Sequence, residues 1–538
     1  MLLLQSLISL NLLLLFASCN QININNNLKK NVLIILADDL GYTDLGCYGS
    51  EIETPNIDKL ALRGTIFSNF YTSPLCAPSR AMLLSGNDNH TAGIGIQSFS
   101  SNYYGYEGIL SKRVAIIPEV LKTNGYRTYM AGKWHIGGDP IERGFDKTYA
   151  LLPGAFTHYD NNKPIREYPD SAFSENGIRK LWKTGNYSSD FYTDKIIEFI
   201  KSNSGKPFFA YASYTAPHWP LQVDKKYSDK YKGKYDEGYE ALKIKRFENL
   251  KVNNFISKNT EYPSFNTAYP KWETLSNKEK AIESKKMEIY AGMIDNLDYN
   301  IGRIINFLKD IGEYDNTIIV FMSDNGAAGE DFYYNNTYGN YIQKHFTYAY
   351  EEMGKPNSFV SLGVAWAESI TAPFKLYKGY ATSGGMRSPL IIKGLENNKL
   401  SVTDKFLSIL DIAPSLYDYL EIDYPKIFNS YKIEPLDGIS ILPYIDGYKE
   451  EIHSKNDVFA FEHSGNVMLK KGNWKIINLN QPFEIDNFNL YSTKDDISEL
   501  YDKKIDSINV YNELIMEWEK FSKSKKLIFP TPYIDNLN

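Results

Sequence analysis

Cys76-Ala77-Pro78-Ser79-Arg80 places a thiol four residues ahead of a guanidinium, at the head of the apolar run Ala81-Met82-Leu83-Leu84-Ser85-Gly86. A proline suits the first turn of a helix, so the cysteine is expected just ahead of a helix N-terminus, where unpaired N–H groups and the helix dipole favour negative charge. The chemistry this offers is anion binding beside a nucleophilic atom. Acids close two other apolar runs, Asp38-Asp39 after 31–37 and Ser323-Asp324-Asn325 after 317–322. Asp38, Asp39, Asp324 and Asn325 together supply hard oxygen ligands, which favours Ca2+ or Mg2+ over zinc. Lys133 and His135 end the stretch 125–137, and two residues apart on extended chain they would share one side of a strand. His218 ends Thr215-Ala216-Pro217-His218, and Lys378 stands ahead of Gly384-Gly385, with Lys375 as its rival.

These residues need a scaffold that gathers distant loops. The uninterrupted apolar runs 31–37, 206–214 and 317–322 predict buried parallel strands, and in doubly wound sheets ligands collect outside the carboxyl ends of such strands. A helix is expected over 54–62, and a longer one over about 278–308, whose apolar residues recur at three and four and so pack on the sheet. Asp295 and Asp298 on that helix read as polar-face or capping residues. The charged segment 224–285 reads as a surface excursion that shapes a substrate entrance. From about 451 short alternating strands at 458–462, 467–471 and 474–478 precede a helix at 508–521, giving a small antiparallel sheet with one helix.

The chain has 538 residues, 43% of them apolar and 23% charged, with net charge −6. That length suggests two or more compact units, or one large α/β unit with a smaller companion. The charge balance lacks the basic excess of a nucleic-acid binder. Residues 1–18 carry an apolar run too short to span a bilayer and read as a signal peptide. Phe16-Ala17-Ser18-Cys19 is similar to a bacterial lipobox, which makes Cys19 the candidate for a lipid anchor and 19–30 a polar tether, with simple secretion as the alternative. The expected location is the periplasm or cell surface. With three cysteines, Cys19, Cys47 and Cys76, no disulfide framework arises if Cys19 is lipidated and Cys76 modified, and Cys47 reads as a small buried residue.

The opening motif resembles the signature of the type I sulfatases, Cys-x-Pro-Ser-Arg-x-x-Leu-x-Ser/Thr-Gly. Thr54-Pro55-Asn56-Ile57-Asp58, Gly132-Lys133-Trp134-His135, Thr215-Ala216-Pro217-His218 and the segment 371–387 also resemble that family's motifs, and the similarity runs from residue 31 nearly to the end. Ser383 departs from it, standing where glutamate is common. The resemblance implies an alkaline-phosphatase-like α/β fold, with a mostly parallel mixed sheet in a catalytic domain at 31–450 and an α+β subdomain at 451–538. It implies sulfate monoester hydrolysis, with Cys76 converted to Cα-formylglycine by a maturation enzyme, and Ca2+ held by Asp38, Asp39, Asp324, Asn325 and residue 76. By the same resemblance Arg80 holds the aldehyde hydrate, Lys133 and Lys378 bind sulfate oxygens, His218 with Lys378 protonates the leaving group, and His135 takes a proton when sulfate is expelled. Aryl or simple alkyl sulfates are the expected substrates, with sulfated saccharides open and His158 a candidate contact to the leaving group. A phosphate or phosphonate ester hydrolase of the same superfamily is the nearest alternative, and a non-catalytic binder of sulfated glycans the next.

Overall fold

The computed structural model describes residues 29–529 apart from 98–99, 160–163, 167–170, 183–184, 204, 264–268 and 396–400. The signal peptide at 1–18, Cys19 and most of the tether lie outside the described residues.

Asn31–Ala37 is a strand buried along its whole length. Leu33, Ile35 and Ala37 enter one core, and Val32, Ile34 and Leu36 enter the other. A strand covered on both faces needs apolar side chains at every position, which is why its run is unbroken. It pairs in parallel with Phe208–Ser213 and with Thr317–Ser323. Arg127–Lys133 pairs in parallel with Phe208–Ser213, and Lys147–Leu151 continues that direction. Antiparallel strands flank this centre, Leu390–Lys393 on one side and Phe173–Glu175 on the other, within a 10-stranded sheet. The mixed, mostly parallel α/β sheet is the one expected.

Helix Asn277–Asp310 starts with a capping box, in which the Ser276 hydroxyl accepts from Glu279 N–H and the Glu279 carboxylate accepts from Ser276 N–H. Met293, Ile294, Leu297, Ile301 and Ile304 pack it on the sheet. Asp298 accepts from the Asn56 and Ile57 N–H groups at 3.0 and 2.8 Å and so caps helix Pro55–Ala61. Segment 224–285 departs from the expected surface excursion. Tyr231, Tyr235 and Tyr239 are buried, and the buried Arg246 donates to Asp44 and Glu51 at 2.5 and 2.8 Å. Its charge pattern marked a surface excursion, but acids 202 and 195 positions earlier in the chain let one of those charges be buried.

The C-terminal sheet has four antiparallel strands, Val458–His463, Asn466–Lys471, Trp474–Asn478 and Asn489–Ser492. The last is too short to have shown in the sequence pattern. Helix Ile508–Lys525 packs on the sheet through Tyr511, Leu514 and Trp518. One tie to the rest of the chain is ionic. Buried His90 has Nε2 2.8 Å from Glu462 and Nδ1 3.4 Å from Asp88. Burial opposes its charge, yet the two acids raise it from 6.5 to about 9. A raised histidine adds stability that is present below pH 6.5 and lost as pH climbs through about 9, a span worth on the order of 3 kcal/mol. The urea midpoint is therefore expected to fall between pH 6.5 and 9 in the wild type and to fall much less in His90→Gln. Parallel curves for the two proteins would remove His90 from this role. Among the described residues no helix is long and apolar enough to cross a membrane.

Candidate active site

Four neighbouring parallel strands deliver their carboxyl ends to one place. Asp38 and Asp39 follow Asn31–Ala37, Asp324 and Asn325 follow Thr317–Ser323, Lys133 ends Arg127–Lys133, and His218 lies in the loop after Phe208–Ser213. Helix Cys76–Ser85 brings the cysteine from the sheet face covered by the second core. Leu75 is the N-cap and Cys76 the first helical residue, one position inside the expected start. Backbone geometry is tight here. A Cβ on Gly132, at φ +116°, would lie 1.7 Å from Ser213 O, so only glycine fits before Lys133. A Cβ on Gly326 would lie 2.1 Å from Gly384 O, which locks the loop after Asn325 against the segment that follows Lys378.

Within this junction the charges are paired. The Cys76 thiol donates to Asp38 Oδ1 at 3.4 Å and lies 3.7 Å from Asp39 Oδ1. Arg80 donates through Nε and Nη2 to Asp324 Oδ2 at 3.0 and 2.7 Å, and through Nη1 to Ser213 Oγ and Lys133 O at 2.6 and 2.9 Å. Lys133 Nζ holds both oxygens of Asp38 at 2.9 and 2.7 Å. Lys378 Nζ holds Asp39 at 2.7 Å. Asn325 Nδ2 donates to Asp39 Oδ1 at 2.6 Å, while its Oδ1 is buried with no hydrogen-bond partner among the described residues. Ligand atoms of Asp38, Asp39, Cys76 and His218 all lie within 4.8 Å of one another. Asp324 lies outside that quartet, with Oδ2 held by Arg80 and Oδ1 accepting from Asp39 N–H at 3.3 Å.

Both candidate histidines sit close to cations. Burial, then Lys133, Arg80 and Lys378, hold His135 well below the usual histidine range. Burial, then Lys378 and Lys133, do the same for His218. His218 Nδ1 donates to Trp219 O at 2.6 Å, which leaves Nε2, 3.5 Å from Asp39, as the atom that can exchange a proton in the site. His135 departs from the extended geometry expected of it. Its φ of +62° turns it out of the strand, so it does not share a strand face with Lys133, although it still lines the cavity over Cys76. His158 does not reach the leaving-group side. It is buried, with Nε2 donating to His218 O at 2.9 Å and Nδ1 2.8 Å from Ser188 Oγ, and burial lowers it to about 4. Its neutral ring positions His218. Burial works against the charge of Lys378, but Asp39 holds its ammonium well above the ordinary lysine value. Lys375, the rival, stands over the Tyr491 ring instead.

Ser383, the departure from the family pattern, receives a carboxylate from far along the chain. Its N–H and Oγ donate to Glu499 at 3.0 and 2.6 Å, and buried Lys475 donates to the same carboxylate at 2.7 Å. Sequence reading missed Glu499 because it lies 116 residues away, with no motif around it. A cavity of about 160 Å³ opens over Cys76, His135, His218 and Lys378. Trp219, Phe332, Tyr338 and Ile342 form its apolar side, and Glu330 and Arg166 add charge. None of the described residues of 224–285 is among its lining residues, so they do not shape the entrance as expected.

Fold and site together define a hydrolase of the alkaline-phosphatase-like class. The sulfatase family model matches residues 30–422, and the chain belongs to that family. It is 37% identical over 517 residues to a sulfatase of Schizosaccharomyces pombe, covering 91% of this chain and 93% of that one. With an arylsulfatase of Klebsiella aerogenes it shares 35% identity over 428 residues, 77% of this chain and 91% of that enzyme. Among solved structures, Ps i-CgsB in complex with k-i-k-neocarrahexaose superposes with a TM-score of 0.65 at 25% identity, covering 92% of this chain and 93% of that one. A phosphonate monoester hydrolase of Agrobacterium radiobacter, at 18% identity and a TM-score of 0.57, shares the fold. The protein is a sulfatase.

Proposed function

We propose that this sulfatase hydrolyses aryl or simple alkyl sulfate monoesters with residue 76 in the formylglycine form and Ca2+ in the acid cluster. The observation that carries the reading is the placement of Cys76 Sγ 3.4 Å from Asp38, inside a buried set of three acids and three cations, Asp38, Asp39 and Asp324 with Arg80, Lys133 and Lys378. Burial and Asp324 push the thiol well above the usual cysteine value, so thiolate attack is a poor fit to this site. An aldehyde in its place, hydrated, offers hydroxyl nucleophiles without requiring a thiolate.

Asp38, Asp39, Asn325 and residue 76 would hold the ion, with Asp324 beside them. The Asn325 Oδ1, unpartnered among the described residues, and the Asp38 and Asp39 carboxylates suit a hard cation. When bound, Ca2+ supplies positive charge to a sulfuryl group, which the balanced acids and cations do not provide by themselves. Lys133 and Lys378 orient sulfate oxygens, and Arg80 fixes Asp324 and the strand end at Lys133. The sulfate anion beside His218 favours its protonated ring, and Nε2 then passes that proton to the leaving oxygen, while the neutral His135 accepts one from residue 76 when sulfate leaves. His158 keeps the His218 loop in place through its bond to His218 O. In this reading the chain is exported and anchored through Cys19, its catalytic part spans 31–450, and a maturation enzyme acts on Cys76.

The test uses protein matured in its own host or with a formylglycine-generating enzyme. After EDTA treatment and dialysis, added Ca2+ is expected to raise the unfolding temperature by a few degrees and to restore turnover of para-nitrophenyl sulfate. Its kcat/KM is expected to exceed that for para-nitrophenyl phosphate by at least ~100-fold. A preference for the phosphate ester would move the protein to the alternative chemistry of the same superfamily.

A further inference from the structure

We propose that Glu330 recognises a hydroxyl group adjacent to the sulfate ester on the leaving group, so that the enzyme favours esters of catechols or vicinal diols over those of simple phenols. The inference rests on the sulfatase reading of the site and adds the chemistry of the alcohol half.

Glu330 lines the cavity that also exposes Cys76, His218 and Lys378. It lies on the loop that leaves strand Thr317–Ser323, five positions beyond Asn325. That loop is bound to the neighbouring one by Lys378 N–H donating to Ala327 O at 3.0 Å. A Cβ on Gly379 would lie 3.8 Å from Glu330 Oε1, so the carboxyl stands over the residue that follows Lys378. Its Oε2 is shut off from solvent and has no hydrogen-bond partner among the described residues. Burial raises the carboxyl, and the Lys378 ammonium opposes that rise.

A buried carboxyl oxygen without a donor holds nothing in the fold together, and it is the kind of acceptor that a ligand donor completes. Its position decides which donor. Lys378 is fixed to Asp39 at the sulfate end, so a hydroxyl meeting Glu330 sits close to the ester oxygen and not at the far end of the leaving group. The same cavity carries an aromatic side whose rings are tilted against one another. Trp219 and Phe332 have ring centroids 4.3 Å apart, and His218 and Trp219 are 4.2 Å apart. Such a wall takes the face of an aromatic ring or the apolar face of a pyranose, while one polar group fixes its rotation. Both sources present the same chemistry, a ring with a hydroxyl beside the ester.

A site built to bond a hydroxyl discriminates against the analogue lacking it, because its own polar group is then left unpaired. The 2-hydroxy-4-nitrophenyl and 4-nitrophenyl sulfates form a matched pair that differs by that hydroxyl. The ratio of their kcat/KM values is expected to fall by ~10–100-fold in Glu330→Ala, and by less in Glu330→Gln, which keeps an acceptor. The ratio cancels any general loss of folding or of sulfate handling. A methyl pyranoside sulfate, paired with the deoxy sugar lacking the neighbouring hydroxyl, makes the second arm, and the pair whose ratio falls identifies a catechol or a saccharide as the source. Ratios equal in wild type and Glu330→Ala in both pairs would overturn the inference and leave the sulfatase reading intact. Wild-type protein that turns over none of the esters would overturn both.

Discussion

Cys76→Ala is expected to lower turnover of para-nitrophenyl sulfate by at least ~1000-fold while leaving a folded protein that still binds sulfate. The expectation follows from how little else the side chain does. Its Sγ touches Asp38 and Asp39, which keep their partners Lys133 and Lys378 when it is removed. Arg80 likewise keeps Asp324, Ser213 and the Lys133 carbonyl. The anion-binding frame should therefore persist, and calorimetry with inorganic sulfate, at Ca2+ high enough to offset the lost ligand at residue 76, should report a dissociation constant near that of the wild type. Peptide mass spectrometry supplies the matching chemical result, since in active material the Cys76 side chain should have exchanged its sulfur and two hydrogens for one oxygen. Retained turnover in Cys76→Ala, or an unmodified thiol in fully active protein, would sink the nucleophile assignment.

Glu499→Ala is expected to destabilise the protein by about 3–5 kcal/mol, because it leaves the Lys475 ammonium buried and unpaired. Lys475 is fully buried and Glu499 1% exposed, so water cannot take over. Activity should suffer as well. Glu499 fixes Ser383, whose successor Gly384 donates to Lys375 O at 3.0 Å, while Gly326 donates to Gly385 O at 2.9 Å. The turn that carries Lys378 and the loop that carries Asn325 thus share one anchor. A fall of about tenfold in kcat/KM is expected even at temperatures where the variant stays folded. Removing both charges with Lys475→Met and Glu499→Gln should recover most of the stability, since it deletes the uncompensated ion. Thermal unfolding and steady-state kinetics check both parts, and a Glu499→Ala protein as stable as the wild type would show the pair to be dispensable.

The strands that carry the site were legible because burial on both faces leaves a plain mark. The runs 31–37 and 317–322 contain no polar residue inside, and each ends on its acids. Cys76, Arg80, Lys133 and His218 could be singled out because each stands in a compact motif. What stayed hidden depends on partners remote in sequence or on backbone torsion. Arg246 looks solvent-facing until Asp44 and Glu51 are brought to it. His158 looks like a substrate contact until its ring is seen against the His218 carbonyl. The positive φ of His135 has no signature in its side chain. Glu330 and Phe332 belong to a loop whose composition does not announce that it faces the cavity.

Cys76 is 1% exposed, and the asparagine that joins its surroundings, Asn325, is encoded about 250 residues later. At synthesis rates of about 5–20 residues per second, roughly 12–50 s separate the two residues on the ribosome. Under the proposed conversion of Cys76 a maturation enzyme would meet a deadline set by the chain's own topology: the side chain is reachable while the later strand is missing and nearly shut off once that strand docks. Whatever slows closure of the sheet widens that interval, and whatever hastens it leaves more molecules finished in shape but chemically immature.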